Sequence, residues 1–83
     1  MTTRFGRAQR QVILCLMDGQ DRTASRIAMD MMLSDGSAGS ALRSLWRRGL
    51  VDRAFSYNKI EWHLTRQGAD AAAVLFPDGD DPS

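Results

Sequence analysis

Little in this chain of 83 residues is equipped for covalent chemistry. It holds one cysteine and one histidine, Cys15 and His63. A single cysteine excludes an internal disulfide and any multi-cysteine zinc site. Cys15 lies inside the apolar run Val12–Met17 and reads as a small buried hydrophobe. Nucleophilic catalysis requires a nucleophile beside a positioned base, and nothing in the order of residues brings Cys15 to His63. No Gly-rich loop is followed by Lys and Ser/Thr, and no His/Cys/carboxylate set has metal-ligand spacing. Asp78, Asp80 and Asp81 share only composition with a calcium loop. Catalysis, metal and cofactor are therefore set aside. Long apolar runs are also missing: the longest is six residues, and the opening MTTRFGR has no hydrophobic signal segment. The expectation is a cytoplasmic protein with no membrane span.

A strong excess of one charge is absent as well, the net being +1, but its distribution is uneven. From Gly36 to Arg66 six basic residues face two acids, a local +4, whereas the remainder holds five basic and eight acidic residues, a local −3. Such asymmetry points to a polyanion facing one half of the chain. At 43% apolar and 25% charged the composition is that of a globular protein. The length suits one domain, marginal alone, for which dimerisation would help.

Residues 1–6 read as a flexible arm, 7–76 as the folded domain and 77–83 as an acidic, disordered tail. A first helix is expected from about Arg7 to Met17. Its apolar residues cover more than half the circumference, with Leu14 and Met17 off the main stripe, which leaves a second core contact and a subunit interface both open. Asp18–Asp21 is a turn. Thr23 is the candidate N-cap of a second helix through about Met32, whose methionines read as core gap-fillers. After a turn at Leu33–Gly36, a third helix runs from about Ser37 to Arg48, capped by Ser34, Asp35 or Ser37. Leu50–Phe55 and Lys59–Leu64 form a hairpin around Ser56-Tyr57-Asn58-Lys59. Pairing Phe55 with Ile60 sets Arg53 opposite Trp62 and Val51 opposite Leu64, with Ile60, Trp62 and Leu64 inward. Thr65 caps a last helix, Arg66–Phe76, whose Ala69, Ala72, Ala73, Leu75 and Phe76 require cover; Pro77 ends it.

The stretch SAGSALRSLWRRGLV, Ser37–Val51, organises the rest. Ala38, Ala41, Leu42, Leu45 and Gly49 share one stripe of a helix, and Ser40, Arg43, Ser44 and Arg47 the opposite one. The pattern Leu42-x-x-Leu45-x-x-x-Gly49-Leu50-Val51-x-Arg53, with Leu64-Thr65-x-x-Gly68 after it, resembles the recognition helix and wing of winged helix-turn-helix domains in bacterial regulators of the MarR and ArsR kind. The resemblance covers Arg7 to Gly68. It implies an α+β, mainly α fold: three helices, a β-hairpin wing and a C-terminal helix.

On that basis the expected partner is double-stranded DNA. Ser37, Ser40, Arg43, Ser44 and Arg47 face outward from the third helix. Arg43 is the candidate for guanine O6 and N7, and Arg47 for a phosphate. Arg53, Tyr57, Asn58 and Lys59 on the wing approach the adjacent minor groove or backbone. Arg53 matches the arginine that the resemblance places at the wing base, and it either lies on the Trp62 ring or swings toward a phosphate. The SAGS segment lacks long polar side chains. It is either a close backbone approach to DNA or a loosely formed first turn. The expected function is a sequence-specific transcriptional regulator, a repressor acting as a homodimer through the first and last helices. The alternative is a winged helix used for protein contact, an adaptor or inhibitor with little DNA affinity.

Overall fold

A computed structural model describes residues 5–77. The element order is α1 (Arg7–Cys15), β1 (Arg22–Thr23), α2 (Ala24–Met31), α3 (Asp35–Arg47), β2 (Val51–Ser56), β3 (Lys59–Leu64) and α4 (Arg66–Leu75). Of the expected arm only Phe5 and Gly6, and of the expected tail only Pro77, fall within the described residues. Phe5 is not loose: its ring lies 4.2 Å below the Arg48 guanidinium.

Local chemistry accounts for the boundaries. At α1 the Gly6 amide donates to Gln9 Oε1 at 3.1 Å. The helix stops at Cys15, two residues short of the expected Met17, because the chain turns through Gly19, whose φ of 81° an L side chain rarely adopts. Thr23 caps α2, its hydroxyl accepting from the Arg26 amide at 3.1 Å. Met32, expected inside that helix, is instead its left-handed C-cap at φ 57°, and the Leu33 amide returns to the Ala28 carbonyl at 2.8 Å. Among the three candidate caps for α3, Ser34 is the one used, accepting from the Ser37 amide at 3.1 Å, so the helix starts two residues earlier than expected. Gly49 ends it at φ 76°, and the Leu50 amide bonds the Leu45 carbonyl at 2.9 Å.

The hairpin has the expected register, Val51↔Leu64, Arg53↔Trp62 and Phe55↔Ile60. Tyr57 and Asn58 both have positive φ, 49° and 65°, the two-residue turn whose twist suits adjoining strands. The third strand was not expected. Arg22 and Thr23 pair antiparallel with Trp62 and Glu61, giving the sheet order β1-β3-β2.

The core gathers Val12, Ile13 and Leu16 of α1, Ile27 of α2, Leu42 and Leu45 of α3, Val51, Trp62 and Ala72. Burying each large side chain contributes about 1.5–3 kcal/mol. One expectation about apolar residues fails, and another holds for the strand face but not for full cover. Met29 and Met32 are exposed and fill no core gap; only Met31 packs against the cluster. Ile60 is 37% exposed, because the hairpin runs past the end of the helical layer and only its root rests on the core. At that root the Thr65 hydroxyl donates to the Gly49 carbonyl at 2.6 Å and accepts from the Gly68 amide at 3.0 Å. One side chain thereby ties the end of α3 to the start of α4.

Candidate nucleic-acid interface

With Ala38, Ala41, Leu42 and Leu45 buried, the helical repeat forces residues three and four apart on the far side into solvent. Gly36, Ser40, Arg43 and Arg47 are all exposed and form that line. Ser37, also exposed, is engaged at the cap, where the Ser34 hydroxyl donates to its Oγ at 2.9 Å. Ser44 corrects an expectation. It lies half-buried on the α1 flank and accepts a hydrogen bond from Gln9 Nε2 at 2.9 Å, so it joins two helices and does not point outward. The groove beside it is lined by Gly6, Arg7, Gln9, Gly36, Ser37 and Ser40. No side chain there is long except Arg7 and Gln9, so a bulky surface can come close to the start of α3.

On the other flank the wing meets α3 through a contact that sequence reading did not anticipate. The Arg53 guanidinium sits 4.3 Å from the Trp46 ring centroid and 6.0 Å from that of Trp62. Of the two positions considered for Arg53, the ring contact is the one adopted, but shared: the guanidinium stacks closely on Trp46, a residue of α3 that is 40% exposed, and reaches Trp62 only at the limit of such contacts. A planar guanidinium on an aromatic face keeps its edge donors free for an anion while its rotamer is restrained. The only advance sign of Trp46 was its place beside the apolar stripe, on the side facing the hairpin. Tyr57, Asn58 and Lys59 are exposed at the tip of the wing.

Among the described acids Asp18 and Asp30 are paired with arginines away from this surface, while Asp35 opens α3 and Asp52 and Glu61 lie on the wing. Arg22 donates to both Asp18 oxygens, at 2.9 and 2.6 Å, and lies 3.6 Å from Asp30. Asp30 is also 3.3 Å from Arg26. The Arg22 guanidinium holds the Asp18 carboxyl down at about 2. Arg43 and Arg47 have no ion-pair partner among the described residues. Asp52 is turned to its own strand, accepting from the Arg53 amide at 2.8 Å. His63 pairs with Asp52 in register, but the carboxylate nearest its ring is Asp21, 3.7 Å from Nδ1 and too far for a hydrogen bond. Burial raises the Cys15 thiol above its ordinary value, against the character of a reactive thiolate. Among the described residues no three His, Cys, Asp or Glu side chains are grouped to hold a metal ion.

No protein-family model and no curated protein matches the chain. Solved structures do. The zinc-responsive MarR-family member ZitR of Lactococcus lactis superposes with a TM-score of 0.74 at 20% identity, over 87% of this chain and 51% of that one. Streptococcus pneumoniae FabT, solved in complex with DNA, superposes with a TM-score of 0.78 at 21% identity, over 89% of this chain and 54% of FabT. A Ralstonia eutropha JMP134 protein assigned to DNA binding gives a TM-score of 0.76 at 26% identity, over 89% of this chain and the whole of that one. The chain thus spans about half the length of ZitR and FabT. Helix, turn, helix and a hairpin closing on Trp46, superposed on such structures, give the chain the winged helix-turn-helix fold of MarR-family regulators.

Proposed function

We propose that the chain is a sequence-specific double-stranded DNA-binding transcriptional regulator, a cytoplasmic, non-catalytic protein that represses by occluding a promoter as a homodimer through α1 and α4. One observation carries this reading: an exposed line of small residues and arginines on α3, Ser40, Arg43 and Arg47, continued by Arg53 and Lys59 on the wing, with Arg43 and Arg47 in no ion pair among the described residues. FabT, of like fold, is solved in complex with DNA. In this reading Arg43 takes a guanine edge and Arg47 a phosphate. Arg53, Tyr57, Asn58 and Lys59 approach the neighbouring groove or backbone, while Ser37 and Ser44 act through the cap and through Gln9.

Gel shifts on random duplexes at two salt concentrations test it. The logarithm of affinity should fall with the logarithm of salt by roughly 0.9 per phosphate neutralised. Replacing Arg43→Ala and Arg47→Ala together should abolish specific binding while circular dichroism stays unchanged. Affinity that is weak at every salt and indifferent to these arginines would defeat the reading. It would leave the second one, a winged helix for protein contact. That alternative is favoured by Val74, 80% exposed on α4.

A further inference from the structure

The hairpin keeps a core-type pattern beyond the point where there is a core. Strand alternation and register put Val51, Arg53, Phe55, Ile60, Trp62 and Leu64 on one face. At the root Val51 and Trp62 are buried, and midway Arg53 reaches Trp46 of α3, so this is the face turned toward the third helix. At the far end Phe55 is 80% exposed, and its cross-strand partner Ile60, more than half covered, is still 37% exposed. The opposite face carries Asp52, Ala54, Ser56, Lys59, Glu61 and His63. Polarity alone would have favoured the reverse at a solvated tip.

We propose that Phe55 with Ile60 forms an apolar wedge that enters the minor groove of duplex DNA beside the α3 contact, parts a base step and bends the duplex. The proposal rests on the DNA-binding reading above and adds a deformation to it. Charge selects the occupant. The wedge is flanked on the hairpin itself by Arg53, two residues before Phe55 on the same face and without an acidic partner among the described residues, and by Lys59, next to Ile60. A second copy docking here would bring the same cations face to face. A polyanion with an apolar interior satisfies both the charge and the exposed Phe55 ring. Wedges of Phe and Ile at base steps kink duplexes by roughly 20–90°. Arg53, restrained on Trp46, is set to hold the flanking phosphate as the ring enters.

The test uses the full chain and a duplex of about 30 base pairs recovered by it from a random pool, with a donor and an acceptor at its ends and 2-aminopurine along it. Wild-type binding should raise both energy transfer and 2-aminopurine emission. The double variant Phe55→Ala, Ile60→Ala should keep the salt slope of binding and lose both signals, whereas Phe55→Leu should retain them. Phe55→Ala alone should leave the thermal melt at the wild-type position, and the double variant, which also trims the partly covered Ile60, should stay folded at the temperature of the binding assay. Wild-type binding without either signal, or signals that persist in the double variant, overturns the wedge and leaves DNA binding standing. No duplex recovered at low salt overturns both. Self-association lost in the double variant, with the optical signals unchanged, assigns the pair to a second copy and also overturns the wedge.

Discussion

At Gly68 the first turn of α4 lies so close to the strand root that a Cβ would collide with the Leu50 carbonyl oxygen and crowd the Leu64 side chain. That oxygen is held in place by the Thr65 amide at 3.0 Å, so it cannot yield cheaply. Gly68→Ala should therefore destabilise the fold by about 1–3 kcal/mol or more. Gly39, by contrast, has nothing within 4 Å of a would-be Cβ. Gly39→Ala should stabilise α3 by up to about 1 kcal/mol. Urea titrations of the two variants should move in opposite directions. If the small residues of α3 serve close approach to DNA, the stabilised Gly39→Ala variant should also bind duplex more weakly. Gly68 stands in the pattern Leu64-Thr65-x-x-Gly68, but its close approach to Leu50 was not legible there. Nor was the role of Trp46, because its partner Arg53 lies across a turn and periodicity within one helix says nothing about a neighbouring strand.

Between elements, the junction of α1, β1 and α2 is tied by ions. Arg22 bonds Asp18 through two oxygens and also donates to the Cys15 carbonyl at 3.0 Å, closing the loop that leads into the sheet. The Asp18 carboxyl titrates at about 2 in the fold against an ordinary 3.8. A depressed carboxyl contributes stability that is complete above the ordinary value and is lost as pH falls through the folded one. Stability should thus drop between 3.8 and about 2, and Asp18→Asn should lack that component, so wild type and variant converge on acidification. Half-exposure keeps the effect modest, and added salt should shrink it. Denaturant midpoints across that pH range measure it. The strand β1 itself escaped sequence reading because two residues carry no alternation. Pairing with Trp62 and Glu61 makes Arg22 and Thr23 a strand, and nothing in their own order does.

For the whole molecule, size decides how much cover is needed. A chain of 83 residues buries only about two thirds of its unfolded surface. α4 still shows Val74, while Met17, Leu64, Ala69, Ala72, Ala73 and Phe76 line a shallow groove along the same helix. If a homodimer closes this groove, the melting temperature should rise with protein concentration, and Ala73→Asp, at an exposed position in its lining, should remove that dependence without unfolding the chain. A melting temperature that ignores concentration would refute the dimer. Helix identities, the Thr23 and Thr65 caps, the glycine stop at Gly49 and the hairpin register were all legible in the amino-acid order. Each is set by periodicity or by one residue's hydrogen bonding and steric freedom over a few neighbours. The partial exposure of Ile60, the half-burial of Ser44 against Gln9 and the stacking of Arg53 on Trp46 were not legible. They depend on where the helical layer ends and which elements meet across it, and only packing in three dimensions sets those distances.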